Sequence, residues 1–358
     1  MGRMLGRFGV LSVMALLLFA PVSKLDTRTP SEPCGVALLM AVAPRKVLWE
    51  DTPKQESGFT LIEMSVVLII IGLIVGGILL GQDLIGGAAV RAQISQIQKY
   101  QAAVHTFQTK YNNYLPGDIP NPYATMFGFQ TRGQYAGEGD GNGIIEGITN
   151  ASPANNNSLD QSAGETVVFW VDLSTANLID GTFNTASPTV VPSSAISGST
   201  LNSYLPVAKV GGGNYVYVLS GGYSYYAHSS EGDNANYFGI AAISSIPAGG
   251  HVISTPGLSA QQAYAIDKKI DDGLPQSGSV VALYDNATLA GSLYPSWAGG
   301  PSAAGASTGA NGPTTVPTAQ SSTTCYDNGG GSGAMQYSLG GTTNNGANLN
   351  CALSFKFQ

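Results

Sequence analysis

The densest group of chemically capable side chains lies at residues 137–147, GEGDGNGIIEG. Glu138, Asp140 and Asn142 alternate there with Gly143 next, as oxygen ligands do in the first half of an EF-hand loop. The Ile144 carbonyl can add a further oxygen. The twelfth position of such a loop falls on Thr149 rather than on a bidentate glutamate, so the stretch is no EF-hand. Glu146 is the carboxylate able to stand in, from a shorter loop. Oxygen donors spaced by glycines suit Ca²⁺, and a plain Gly/Asn turn uses the same residue types. A second acidic group, Asp267, Asp271 and Asp272, accompanies Lys268 and Lys269. It reads either as a solvated charged face or as a further cation or subunit-contact patch. A lone carboxylate, Glu63, stands in the apolar run of residues 58–82, GFTLIEMSVVLIIIGLIVGGILLGQ, where a charge is costly.

Enzyme chemistry has no comparable signal. His105 falls on a long helix, and His228 and His251 have no Cys, His or Glu at metal-ligand spacing. The glycines of GGGNY precede neither a Lys-Ser/Thr pair nor a helix, so they form no phosphate loop. No Ser or Thr sits in a nucleophile elbow. The chain reads as a non-enzyme.

The elements that position these groups follow from hydrophobic spacing. From residue 60 to 80 the chain is apolar apart from Thr60, Glu63 and Ser65. About 20 residues of helix cross a bilayer core, and no second run of that length follows, so one membrane anchor is expected. Lys54 and other basic residues precede it, which puts the N-terminus in the cytoplasm and the bulk of the chain outside. Residues 1–58 differ from the rest. Arg3 and Arg7 precede a short apolar run, much as in a signal peptide, and a shorter leader opening at Met40 fits equally well. Past the anchor, Ile94, Ile97, Tyr100, Val104, Phe107, Tyr111 and Leu115 recur at spacings of three and four. That is one apolar stripe of an amphipathic helix, with Gln, Lys and Thr expected on the other face. Pro116 and Gly117 are expected to end it. A helix from about Phe59 to Tyr114 would be on the order of 84 Å long at about 1.5 Å per residue. Gly72/Gly76 and Gly77/Gly81 have the spacing that lets helices approach closely. Each glycine also weakens the helix by about 1 kcal/mol relative to Ala. The stretch from Gly76 to Gly87 is therefore expected either to unwind locally when subunits pack or simply to be a flexible anchor.

Downstream, ETVVFWVDLSTANLIDG reads as a short helix burying Phe169, Trp170, Leu173 and Leu178. NYVYVLSGGYSYYAHS and NYFGIAAIS alternate like antiparallel strands around a Gly-Gly turn. SAQQAYAIDKKIDDG is a helix with Ser259 as N-cap and Gly273 past its end, and GSVVALYD is a strand. Residues 299–323 lack periodicity and read as a flexible surface loop. The expected fold class is α+β, a long N-terminal helix packed on a small antiparallel sheet.

GFTLIE followed by an apolar helix resembles the signature of the type IV prepilin superfamily, which includes pili, type II secretion pseudopili and DNA-uptake pili. The resemblance rests on residues 58–82 and extends along the helix to Pro116. YNNYLPGDIPNP, the GDGNG loop and AIDKKIDDG further resemble a subset of prepilin-like proteins from Gram-negative bacteria. The resemblance implies that a dedicated peptidase cuts after Gly58 and that the new N-terminal Phe59 is N-methylated. Glu63 matches the superfamily's glutamate at the fifth mature position. Residues 1–58 would then be a leader, 59–81 a transmembrane and filament-core helix, 82–115 its amphipathic half, and 116–358 a head. Implied partners are copies of itself and other pilins, the prepilin peptidase/methylase, an inner-membrane assembly platform and membrane lipid. Cleavage would create an ammonium at Phe59, and in a packed filament Glu63 could pair with a neighbour's amine and set the register. Filaments of the superfamily melt part of this helix, often near a proline, which this stretch lacks. Secretion pseudopilins carry Ca²⁺ in their heads on ligands nearer the C-terminus, compatible with Ca²⁺ as the one cofactor here. If Cys34 leaves with the leader, Cys325 and Cys351 remain as a pair, which an oxidising compartment would join. Pilins similarly pin their C-terminal region.

From Phe59 onward the chain carries 8 basic and 17 acidic residues, which disfavours nucleic acid as a partner. The expected function is a structural subunit of a type IV pilus-like filament of a Gram-negative bacterium. It would be anchored once in the inner membrane with a periplasmic head, then assembled. A pseudopilin of a type II secretion system is the nearest alternative. The acidic loop favours it, whereas the 300-residue mature length and the cysteine pair favour a pilin. A monomeric membrane-anchored adhesion or binding protein is the alternative of another class, kept open by the size of the head and the 299–323 loop.

Overall fold

Helix α1, Leu61–Lys110, is unbroken for 50 residues, about 75 Å at about 1.5 Å per residue. It runs through Gly76, Gly77, Gly81, Gly86 and Gly87 without interruption. The computed structural model describes residues 58–148, 156–221, 234–286, 295–298, 324–340 and 348–358. Residues 1–57 of the leader, the turn expected beyond Gly221, Thr149, His228 and the 299–323 loop lie outside the described residues.

The helix ends earlier than Pro116 suggests. Asn112 and Asn113 take positive φ, 56° and 64°, and the Asn113 N–H donates to the Gln108 carbonyl at 2.8 Å. This is the bond that closes a helix on a left-handed residue, a conformation asparagine tolerates better than most side chains. The amphipathic half therefore stops at Lys110 rather than at residue 115, although Tyr111 and Leu115 stay buried beyond it. Helix α2, Tyr123–Met126, is a single turn. Helix α3, Glu165–Thr175, ends as α1 does: Asn177 has φ 56° and Leu178 N–H donates to the Leu173 carbonyl at 3.0 Å.

The sheet is organised on one long strand. Its strands are β1, Ile196–Ser197; β2, Asn214–Gly221; β3, Ala235–Ile246; β4, Ile253–Thr255; β5, Val280–Val281; and β6, Leu353–Lys356. All pairings are antiparallel. One edge of β3 meets β2, with Tyr217 opposite Gly239, and then β1. The other edge meets β6, with Phe355 opposite Phe238, and then β4. β5 adds to the far side of β6. Gly239 is required where it stands, because a Cβ there would lie 2.3 Å from the Tyr217 ring. Helix α4, Ala260–Ile270, starts at the N-cap expected of Ser259, and Gln262 completes a capping box there.

The core lies where α1, α3 and β3 meet. The Tyr100 ring is 5.1 Å from Trp170 and 6.0 Å from Phe238, and Phe169 is 5.9 Å from Phe238. Two glutamines depart from the expected polar face. Gln93 and Gln96 are buried. Gln96 Oε1 accepts from Lys209 N at 3.0 Å, its Nε2 donates to the Val207 carbonyl at 3.0 Å, and Gln93 Oε1 accepts from Val210 N at 3.0 Å. A segment with unpaired backbone groups can dock on a helix only where side chains satisfy them, and these two amides do so. Cys325 and Cys351 form a disulfide, which ties the strand leading into β6 to the segment ahead of it. Closing a loop of that size adds roughly 3 kcal/mol by restricting the unfolded chain.

Candidate functional site

The first site is the start of α1. Gly58, Phe59 and Thr60 precede the helix and are exposed. Glu63 Oε2 accepts from both the N–H and the hydroxyl of Thr60 at 2.8 Å, and Glu63 N–H donates to Thr60 Oγ1 at 3.3 Å. This is a capping box, which satisfies N–H groups that the first turn of a helix leaves without partners. Glu63 therefore has a role within its own chain besides any role toward a neighbour. The reading of the sequence missed it, although Thr-x-x-Glu before an apolar run is the pattern of such a box. Beyond the box, the large apolar side chains of α1 from Leu61 to Ile85 are all exposed. α1 is long and apolar enough to cross a membrane.

The second site is the acidic loop, assembled from three parts of the chain. Gly139, Gly141 and Gly143 all have positive φ, at 98°, 80° and 85°. The resulting coil turns alternate amides toward buried carboxylates. Asp118, eight residues past the end of α1, accepts from Gly141 N at 2.6 Å and Gly143 N at 2.7 Å. Glu165, the first residue of α3, accepts from Gly139 N and Glu146 N, each at 2.9 Å. Asp140 Oδ1 accepts from Asn142 N at 3.0 Å, and Asn142 Oδ1 accepts from Ile144 N at 2.6 Å. One oxygen each of Asp118, Asp140 and Glu165 lies within 4.8 Å of the others. Glu146 is buried beside them, 3.5 Å from the Asn142 amide.

The electrostatics follow from burial and crowding. Burial raises Asp118 to about 7, against its bonds from the Gly143 and Gly141 amides, and Asp140 adds to the rise. Burial and then the charge of Asp140 raise Glu146 to about 8. Glu165 is pushed well up by burial, then by Asp118, Glu146 and Asp140. Carboxylates so placed must share protons or a cation. The donors are all oxygen. Their mutual distances fit around an ion that binds oxygen at about 2.3–2.6 Å, the range of Ca²⁺.

Among the sequence-derived candidates, Asp140 belongs to this group, and Asn142 and Glu146 border it. Glu138 does not join it. Its Oε2 accepts from Gln134 N at 3.0 Å and Tyr135 N at 3.1 Å and closes its own turn. Asp118 and Glu165 take its place. They were overlooked because each is an isolated acid outside the glycine-rich loop, 47 positions apart in the chain. The Asp267, Asp271 and Asp272 oxygens also converge, but they are engaged in holding the turn after α4. Asp267 accepts from the Tyr337 hydroxyl at 2.8 Å, Asp271 from Ser279 and Val280 amides, and Asp272 from Leu274 N at 2.8 Å.

No curated protein and no solved structure matches the chain. Residues 53–79 match the family model described as the Prokaryotic N-terminal methylation motif. The match covers the run around Gly58 and most of the exposed apolar half of α1, and through it the chain carries the prepilin-type signal of type IV pilins and pseudopilins.

Proposed function

We propose that this chain is the structural subunit of a type IV pilus-like filament. It is cut between Gly58 and Phe59, methylated on Phe59, and polymerised through α1. The observation that carries this reading is the position of the methylation motif, which overlaps a helix half whose large apolar side chains are all exposed. Such a surface requires lipid before assembly and neighbouring helices after it. Residues 1–58 act as the leader, which stays cytoplasmic while the head is periplasmic. The partners are the prepilin peptidase/methylase, the inner-membrane assembly platform, and further copies of this and related subunits. On cleavage, the Phe59 amine becomes a cation within reach of carboxylates on adjacent helices. Glu63 of one subunit then pairs with the Phe59 amine of the next.

In the head, Ca²⁺ is the cation that Asp118, Asp140 and Glu165 would hold, with Glu146 beside them. It would supply positive charge to a carboxylate group that forms no ion pair with a basic side chain among the described residues. This acidic group also favours the second reading, a pseudopilin of a type II secretion system. Co-purification with a secretion channel rather than a retraction ATPase would distinguish the two. Mass spectrometry of the mature chain tests the shared step. N-methyl-Phe59 at the N-terminus is expected, and an N-terminus elsewhere would sink the prepilin reading.

A further inference from the structure

His251 lies in the loop between β3 and β4 and plays no part in either site. Its Nδ1 is 2.9 Å from Asp285 Oδ1, and its Nε2 is 3.6 Å from Asp160 Oδ1 on the opposite side. Both aspartates are buried, and the imidazole is only 16% exposed. Asp160 stands in the segment leading into α3, and Asp285 follows the strand Leu283–Tyr284. Among the described residues Asp285 Oδ2 has no hydrogen-bond partner, and the side-chain partner of Asp285 is His251. The other described groups bonded to Asp285 are neutral: the Tyr217 hydroxyl of β2 accepts from its N–H at 2.8 Å, and Ser254 of β4 donates to its carbonyl at 2.7 Å. Tyr217 is itself held neutral, its hydroxyl pushed far up by burial and then by Asp285.

A neutral imidazole has one N–H and one lone pair. Between two carboxylates, whichever nitrogen bears the lone pair would face a negative charge. An imidazolium presents an N–H to each. We propose that His251 is a protonated structural cation, clamped between Asp285 and Asp160, and that this clamp is an alkaline-sensitive latch joining three segments of the head. Neutral bonds already hold the loop in place: Gly249 N donates to Ser162 Oγ at 3.1 Å and Gln161 N to the Gly250 carbonyl at 3.2 Å. The latch adds the charge-dependent part.

Burial of His251 opposes its protonation. The charge and hydrogen bond of Asp285, with the charge of Asp160, outweigh that and raise the group from 6.5 to about 9. The folded value lies above the unfolded one, so the contribution is complete below about 6.5 and is lost as pH rises through about 9.

The sequence has 3 histidines, all beyond Phe59, so ¹⁵N-histidine labelling of the full processed chain in detergent micelles gives a simple spectrum. The resonance that disappears in His251→Gln is expected to keep both ring nitrogens protonated at pH 8, with a midpoint near 9. A neutral His251 at pH 7 would overturn the proposal. If His251→Gln fails to fold, His105→Gln and His228→Gln identify the resonance by elimination. Thermal melts provide the second readout. Wild type should lose more stability than His251→Gln between pH 7 and pH 10, and equal losses would count decisively against the latch.

Discussion

The two halves of α1 are one continuous helix with opposite surroundings. Leu61 is 91% exposed and Ile69 66%, while Ile97 and Phe107 are fully buried. Backbone geometry does not distinguish them. The arrangement of apolar residues does. The first half is apolar all round, which no single face of a head can cover. The second has one stripe, and the head covers that stripe with α3, β3 and the docked segment at residues 207–210. The first half is therefore a surface for other molecules, and the second is part of this molecule's own core.

That division can be broken from either end. The largest effect is expected from Glu63→Ala. Leaving one partner of a buried charge pair uncompensated costs about 3–5 kcal/mol, more than a hundredfold in an association constant. Sedimentable filaments should disappear while the melting of the head is unchanged. Normal filaments would refute the pairing of Glu63 with a neighbour's amine. In the second half, Phe107→Ala should do the reverse. Removing a fully buried aromatic costs about 3–5 kcal/mol, read by denaturant unfolding of the head, while cleavage after Gly58 proceeds as before.

A third test concerns the acidic loop. Asp118 and Glu146 titrate near 7 and 8 in the folded chain, above their ordinary values. An acid with a raised folded value takes up protons on folding, so its contribution is favourable at low pH and is lost as pH rises toward 8. The chelated chain should accordingly lose stability from pH 5 to pH 8. At pH 8, Ca²⁺ at one hundred times its Kd should restore about 2.7 kcal/mol, and the same Ca²⁺ concentration should give a smaller shift at pH 5, where protons compete for the carboxylates. Glu165→Gln should abolish that shift and Glu138→Gln should retain it. The opposite pattern would restore Glu138 as the ligand. The smallest effect belongs to Gln96→Ala. It leaves the Lys209 amide without its acceptor and should cost about 1–3 kcal/mol, seen as faster amide exchange at residues 207–210.

Much of this was legible in the chain alone, and the reasons are local. A run from residue 60 to 80 that is apolar apart from Thr60, Glu63 and Ser65 announces a membrane-length helix whatever follows it. Spacings of three and four from Ile94 to Phe107 mark the buried stripe, because the helical period fixes which side chains share a face. Ser259 with Gln262, and Asn214–Gly221 against Ala235–Ile246, likewise carry their own signals. Where local rules misled, a competing local rule or a distant partner was responsible. Asn112 ended α1 before Pro116 could, since a left-handed asparagine is sufficient to close a helix. Gln93 and Gln96 looked like surface residues because nothing in sequence shows that residues 207–210 present bare amides to them.

The sequence by itself determined the signal, the anchor, the stripe and the α+β class, all written in neighbours a few positions apart. Tertiary structure alone decided which carboxylates meet. Asp118 and Glu165 reach Asp140 only because the segment after α1 and the start of α3 are folded against one glycine-rich coil. Likewise, His251 acquires its two aspartates only when three segments converge. Charges interact through space, and the chain order carries no record of those distances.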